Sequence, residues 1–191
     1  FDWLLSPLSG KDKALFSAMR DETLTETQHK KTRYKSIDCS IMELADDIAY
    51  GIHDLEDAIV THVVSRNDFE QHVIQALAKI EDHWVQEYSQ TLADKLFSSE
   101  HHKQKDAIGG LVNYLITAIV LEDINETSWG AFSEPLLKYN AKLPPVTASV
   151  LQIFKDFVYH FVIKQTRIQR LEYRGQQIVM ELFEALASDQ I

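Results

Sequence analysis

The sequence has few of the residues that mark several classes of protein. Glycine and proline number only 6 and 4 in 191 residues, which excludes collagen-like chains and disfavours a many-turned β fold. Cys39 is the one cysteine, so an internal disulfide and a cysteine-rich zinc site are excluded, and a reducing, cytoplasmic location is expected. The segment from Phe1 has neither an initiator methionine nor the basic start of a signal peptide.

Long apolar runs and an excess of positive charge are lacking as well. The most apolar stretch, residues 111–121, is shorter than a membrane-spanning helix and contains Asn113 and Thr117, so no membrane association is expected. The formal net charge of −10 disfavours nucleic-acid binding, because an acidic surface repels a phosphate backbone. What remains is a chain of average globular composition, 45% hydrophobic and 25% charged, which fits one domain or part of a larger one.

Most of the chain has a helical period, and the expected fold class is all-α. Apolar residues recur at spacings of three and four from Ile41 to Val63, with Ser40 as N-cap and Glu43 completing a capping box. Further helices are predicted from an Asn67 cap through Leu77, over 80–97 and 105–122, from a Thr147 cap to Ile168, and beyond a break at Gly175. Residues 125–129 and 143–145 are predicted as loops, and no window shows strand alternation with hairpin turns.

The first part of the chain differs from the rest. Residues 1–36 are predicted to form a connecting segment, a short helix followed by a surface loop, and residues 37–191 the helical body. The loop carries a basic cluster, which consists of His29, Lys30, Lys31, Arg33 and Lys35. Two interpretations stay open for this cluster: a solvated loop, which is favoured, and a loop that faces the phosphates of a ligand.

One face of the first long helix carries the candidate chemistry. Asp46, Tyr50 and Asp54 follow one another at intervals of four, so they share a helix face, with about 12 Å along the axis between the two carboxylates. That span is comparable to the reach from a nucleotide's α-phosphate across its sugar. One carboxylate can hold a metal beside phosphate, the ring can pack on the sugar, and the other carboxylate can accept a hydrogen bond from a hydroxyl. By spacing alone, a plain solvated acidic face is the commoner interpretation.

The residues around this face resemble a known family. Residues 45–50, ADDIAY, followed by residues 53–57, HDLED, closely resemble the hallmark helix of the HD-domain deoxynucleoside triphosphate triphosphohydrolases, the dGTPase family. Residues 105–117 and 158–186 are similar to other helices of that family, so the resemblance covers most of the chain from residue 36 onward.

The resemblance implies an all-helical, metal-dependent hydrolase that cleaves a dGTP-like deoxynucleoside triphosphate to deoxynucleoside and tripolyphosphate. Asp46 matches a ligand of the divalent metal, Mg²⁺, Mn²⁺ or a similar ion, and Tyr50 and Asp54 match positions that contact the deoxyribose. In such a site the aromatic ring leaves little room for a 2′-hydroxyl, and the carboxylate binds the 3′-hydroxyl. The resemblance also implies a homo-oligomer in the cytoplasm.

The other metal ligands of that family are missing. An upstream His and a His-Asp pair have no counterpart between Phe1 and Asp46. His53-Asp54 is no substitute, because it lies on the helix already assigned to Asp46. We therefore expect this chain to be the C-terminal part of a longer enzyme, inactive alone and without catalytic residues of its own. Two alternatives stay open: a non-catalytic nucleotide-binding or oligomer-assembly module that has lost the metal site, and another HD phosphohydrolase such as a nucleotide phosphodiesterase, which Tyr50 and Asp54 disfavour.

Other conspicuous residues have ordinary interpretations. Adjacent His101 and His102 diverge around a helix and do not easily share an ion. Cys39 has no recognisable catalytic partner in the sequence and is predicted to pack against other side chains. Gly109-Gly110 lacks the context of a phosphate-binding loop and is predicted to allow close helix packing.

Overall fold

The computed structural model describes residues 2–18, 32–127 and 132–188. The expected all-α fold is confirmed, since a two-stranded sheet is the only sheet among these residues. The helices are α1 Asp2–Leu5, α2 Gly10–Phe16, α3 Ile37–Ile48, α4 Asp54–Val60, α5 Arg66–Phe69, α6 Gln75–Leu77, α7 His83–Leu96, α8 His101–Thr117, α9 Ile124–Thr127, α10 Pro135–Lys138, α11 Pro145–Val158 and α12 Thr166–Ser188. Three π-helical segments cover Ala49–His53, Glu70–Ile74 and Tyr159–Ile163, and the strands are β1 Val120–Asp123 and β2 Tyr139–Lys142.

The chain divides into two compact units, and the division does not follow the predicted domain boundary at residue 36, which stays a prediction. The first unit comprises Phe1–Ala49 and Asn113–Ala148, and the second Tyr50–Val112 and Ser149–Ile191. Each unit therefore contains two separate stretches of the sequence.

The small sheet of the first unit was missed by the sequence analysis. β1 and β2 pair antiparallel, with Val120 opposite Lys142 and Asp123 opposite Tyr139. The helix predicted over 105–122 therefore ends early: α8 stops at Thr117, whose hydroxyl donates to the Asn113 carbonyl at 2.7 Å. Strand pairing between segments almost twenty residues apart leaves no local pattern when each strand has only four residues.

A second feature of the first unit is a buried carboxylate. Asp12 in α2 is 1% exposed, and its two oxygens accept hydrogen bonds from the backbone N–H groups of Ser133 at 3.0 Å and Glu134 at 3.2 Å. These groups lie just before α10, so Asp12 joins two segments more than a hundred residues apart. A small apolar cluster lies in the same unit, formed by Ile124, Phe132 and Leu137 with Leu8, Leu15, Phe16 and Tyr34 packed against it.

The second unit holds the larger core. Its fully buried side chains include Ile52, Leu55, Phe69, Val73, Leu77, Leu92, Leu96, Leu111, Val150, Phe154 and Val158. Phe69 meets Phe157 edge-on with ring centroids 5.7 Å apart and lies 5.6 Å from Phe97. The predicted apolar stripe of the first long helix therefore supplies this core from Ile52 onward. Ile41, at the start of the stripe, is 50% exposed.

The predicted helix starts were wrong by a few residues. Ser36, not Ser40, caps α3 by accepting from the Cys39 N–H, and Ser65, not Asn67, caps α5 by accepting from the Asp68 N–H. Ser40 is buried instead, where its hydroxyl accepts the Ala141 N–H at 2.8 Å. Because that partner lies in β2, the role of Ser40 could not be read from local sequence.

The last two helices differ from the prediction in where they divide. α11 begins at Pro145, so Thr147 is buried within the helix and does not cap it. The break falls at residues 164–165, and α12 continues through Gly175 without interruption. A single glycine costs a helix interior only about 1 kcal/mol relative to alanine, which a long helix tolerates.

Residues 145–163 are long enough to cross a membrane and contain an 18-residue window with a mean hydropathy of 1.3, which the sequence analysis overlooked. One such helix is weak evidence of a membrane span. Burial of Val150, Phe154 and Val158 in the core of the second unit explains why this segment is apolar.

Only part of the basic cluster can be described. His29, Lys30 and Lys31 lie outside the described residues. Lys35 forms an ion pair with Glu43, and the Arg33 N–H donates to the Ala18 carbonyl at 2.8 Å. The contact of Lys35 favours a surface loop held by local pairing, while the phosphate-facing interpretation stays untested.

Candidate functional site

The three candidate residues lie on consecutive elements of the chain. Asp46 is exposed in the last turn of α3. Tyr50 lies in the π-helical segment Ala49–His53, and Asp54 is the first residue of α4; both are half-buried. Since the division between the two units falls between Ala49 and Tyr50, Asp46 is described with the first unit and the other two with the second.

The π-helical segment changes the local geometry expected at Tyr50. A π turn contains one residue more than an α turn, and such turns are frequent at functional sites. The projection of Tyr50 and Asp54 onto one face of a uniform α-helix is therefore only approximate. The two side chains are nevertheless close enough for the Asp54 carboxylate to act on the phenol of Tyr50.

The surroundings of Tyr50 keep its hydroxyl protonated. Burial raises the pKa of Tyr50 above its ordinary value, and the nearby Asp54, Tyr159 and Asp156 raise that pKa further. A protonated phenol can donate one hydrogen bond while its ring offers an apolar face. The half-buried ring beside two carboxylates can accordingly pack against a sugar, and a carboxylate is the type of group that accepts hydrogen bonds from sugar hydroxyls.

Gly51 brings the π-helical segment close to α11. This residue is buried, and a Cβ added there would lie 2.9 Å from Leu151 Cδ1 and 3.2 Å from Lys155 Cγ. The close approach places the segment that carries Tyr50 against the helix that leads to Tyr159. It is a packing contact, so the sequence pattern did not reveal it.

Asp156 and Tyr159 are the residues that sequence reasoning missed at this site. Asp156 is near the end of α11, and Tyr159 opens the π-helical segment that follows. The His160 ring next to them has its Nδ1 2.8 Å from the Asp156 carbonyl and meets Tyr159 edge-on at 5.2 Å. The resemblance of residues 158–186 to the family's other helices includes Tyr159 without singling it out, and it does not reach Asp156.

The described residues do not form a metal site by themselves. Residues 2–18, 32–127 and 132–188 contain no group of three or more His, Cys, Asp or Glu side chains placed to hold an ion. Asp46 offers one carboxylate, which is the ligand type that Mg²⁺ prefers, but a single carboxylate does not bind such an ion tightly.

Three further histidines, His53, His72 and His101, and the cysteine lie at the surface. His53 Nδ1 is 3.5 Å from Glu56 Oε2, and the His72 ring lies 4.6 Å from that of Phe161. His101 Nδ1 is 3.3 Å from the Gln104 side-chain oxygen, in keeping with a solvated surface. Cys39 is exposed in the first turn of α3, so the prediction that it packs was wrong; its side of that turn faces solvent, while the neighbouring Ser40 is buried.

Comparison with known proteins places these residues in a wider context. Residues 141–191 match the phosphohydrolase-associated domain. Over 188 residues, 98% of its length, the chain is 53% identical to a deoxyguanosinetriphosphate triphosphohydrolase-like protein of Shewanella halifaxensis and 50% identical to one of Aliivibrio fischeri. A protein of the same name from Vibrio campbellii is 50% identical over 189 residues. The chain spans 41–42% of the length of these curated relatives, and the resemblance found at residues 45–57 is confirmed.

Proposed function

We propose that this chain contributes to hydrolysis of a deoxynucleoside triphosphate. The premise is that it corresponds to part of a deoxyguanosinetriphosphate triphosphohydrolase-like protein. The products are the deoxynucleoside and tripolyphosphate, and dGTP is the first substrate to test. The observation that carries the proposal is identity of about one half over 98% of the chain to relatives of that name.

Tyr50 and Asp54 bind the deoxyribose in this proposal. The Tyr50 ring covers the 2′ carbon and leaves no space for a 2′-hydroxyl, while Asp54 accepts a hydrogen bond from the 3′-hydroxyl. The half-burial of both side chains supports these roles, because partial desolvation strengthens a hydrogen bond to a carboxylate.

Asp46 supplies one carboxylate to a divalent cation. The remaining ligands would belong to residues outside the described parts of this chain, since residues 2–18, 32–127 and 132–188 provide no complete set. The cation would offset phosphate charge.

The experiment uses the complete protein that contains this chain and follows tripolyphosphate release from dGTP. Asp54→Asn should lower kcat/KM for dGTP about tenfold or more, because a hydrogen bond to a charged group contributes about 1.5–3 kcal/mol. The same variant should have little effect on turnover of 2′,3′-dideoxy-GTP, which lacks the 3′-hydroxyl. Asp57→Asn is the matched control, an exposed carboxylate less than one turn further along α4.

Three outcomes would count against parts of the proposal. Absence of tripolyphosphate release by the unsubstituted complete protein would refute the function itself. Equal losses on dGTP and its dideoxy analogue would refute the role of Asp54. Unchanged discrimination between dGTP and GTP in Tyr50→Ala would refute the role of the ring.

A non-catalytic nucleotide-binding or assembly module is the second candidate. Both candidates are compatible with the lack of a three-ligand metal group among the described residues. The upstream coding sequence separates the two: a His followed by a His-Asp pair supports the hydrolase, and a complete protein without them supports the module.

A further inference from the structure

The C-terminal helix α12 is long, apolar on one side and without burial. It runs for 23 residues from Thr166 to Ser188, and no residue in it is buried among the described parts of the chain. Apart from Ile168, which is half-buried, its large apolar side chains are more than half exposed; they include Leu171, Ile178, Val179, Leu182, Phe183 and Leu186. A helix in a protein draws most of its stability from packing of an apolar face.

These side chains form one continuous face. Leu171, Gly175, Ile178 and Leu182 follow at spacings of four, three and four, which places them in a row along the helix. Val179, Phe183 and Leu186 widen that row on one side. We call this surface the α12 face.

Gly175 lies within the α12 face and has no role in the described contacts. A Cβ at this position would meet nothing within 4 Å, and a glycine in a helix interior is unfavourable relative to alanine. Close approach of another segment is a common reason for a glycine inside a helix. The residue thus agrees with a face built to receive a packed partner.

The size of the α12 face is that of an interface. Monomeric proteins rarely expose contiguous apolar patches larger than a few hundred Å². Six large apolar side chains, each more than half exposed on a single helix, reach that limit. The face therefore requires an occupant.

The charges of α12 argue against a lipid surface as this occupant. The helix carries three arginines and three glutamates, Arg167, Arg170, Arg174, Glu172, Glu181 and Glu184, so its formal charge is zero. Helices that lie on anionic membranes are typically rich in Lys and Arg on the polar face. A protein surface is the better match.

We propose that the α12 face packs, within the same molecule, against the portion that the curated relatives have and this chain lacks. The chain spans 41–42% of those relatives, so more than half of each relative is available to cover it. A segment joined through the same polypeptide has an effective concentration in the millimolar range or above, which favours it over a second copy. The occupant is an apolar groove or helix face of that portion.

The test compares two cysteine substitutions in the complete protein, with Cys39→Ser as background. Leu182→Cys places a thiol at the centre of the α12 face, and Glu184→Cys places one on the opposite side two residues later. Both positions are exposed here. Labelling by a maleimide, followed peptide by peptide with mass spectrometry, should be at least about tenfold slower at Leu182→Cys. In the 191-residue chain alone the two rates should be alike.

Two further measurements complete the test. Labelling at low protein concentration distinguishes packing within one molecule from packing against a second copy, and hydrogen exchange examines α12 in a protein without substitutions. Protection of Leu182→Cys that persists at nanomolar concentration supports packing within one molecule; protection lost on dilution identifies a second copy and overturns the proposal. Equal labelling rates in the complete protein also overturn it. Amides of residues 166–188 in the unsubstituted complete protein should exchange more slowly than in the chain alone. None of these readouts requires turnover, so they stand apart from the test of the proposed function.

Discussion

Gly109 and Gly110 are neighbours in α8, but the first faces open space and the second is closely packed. Substitution of each by alanine should therefore affect stability differently. A Cβ at Gly109 would meet nothing within 4 Å. A Cβ at Gly110 would collide with the Tyr88 hydroxyl oxygen and lie 2.8 Å from Tyr88 Cζ, far inside van der Waals contact. The predicted close packing at this pair is therefore a property of Gly110 alone.

Tyr88 has little freedom to move away. Its hydroxyl donates to the Ala107 carbonyl at 2.9 Å, and its ring stacks on Trp84 with centroids 4.4 Å apart. Lys95 Nζ lies 5.5 Å from the same ring. A methyl group at Gly110 must displace this ring, with loss of the hydrogen bond and of part of the stacking.

The two substitutions should change the free energy of unfolding in opposite directions. Gly109→Ala should stabilise the protein by about 1 kcal/mol, the usual gain from replacing glycine in a helix interior. Gly110→Ala has the same gain but loses about 1–3 kcal/mol to overpacking and about 1 kcal/mol with the hydrogen bond. The net effect is a destabilisation of about 2 kcal/mol, so the variants should differ by about 3 kcal/mol.

Urea unfolding followed by circular dichroism measures both values. A third protein tests the cause: with Tyr88→Ala already present, Gly110→Ala should recover a gain of about 1 kcal/mol, since the obstructing ring is gone. Equal stability of Gly109→Ala and Gly110→Ala, or an unchanged penalty when Tyr88 is absent, would refute the packing argument.

Two further predictions concern Tyr88 and Asp12. Burial raises the pKa of Tyr88 to about 12, and the Asp106 carboxylate adds to the shift. The unfolded chain then loses this proton near pH 10, before the folded protein does, so stability should fall between pH 10 and 12. The fall should be smaller in Tyr88→Phe, and parallel pH profiles of the two proteins would contradict it. Asp12→Ala should lower the unfolding free energy by about 2–3 kcal/mol, because two backbone N–H groups lose a carboxylate partner; calorimetry that finds less than about 0.5 kcal/mol would show that these N–H groups reach water.

The candidate site could be located from sequence only in part. Asp46, Tyr50 and Asp54 stand out because they lie within one short stretch of chain. In that stretch both the helical periodicity and the sequence motif can be recognised. Asp156 and Tyr159 are about a hundred residues away. Their approach to Tyr50 depends on packing of α11 beside the π-helical segment at Gly51, which no local pattern records.

The fold shows the same division. Repeated apolar spacings predicted the long helices, because a helix buries one face and that requirement is periodic in the sequence. Helix ends were less predictable: Ser36 and Ser40 are equally suitable as caps, and the choice depends on β2, whose Ala141 N–H binds the Ser40 hydroxyl.

The sequence by itself determined the helical class, the spacing of Asp46, Tyr50 and Asp54 and the family that residues 45–57 resemble. These properties depend on neighbours within a few turns of helix. Tertiary structure alone decided the pairing of β1 with β2, the burial of Asp12 against the backbone of residues 133–134, and the surroundings of Tyr50. Each depends on residues brought together from distant parts of the chain, where contact is set by packing of whole elements and leaves no periodic trace.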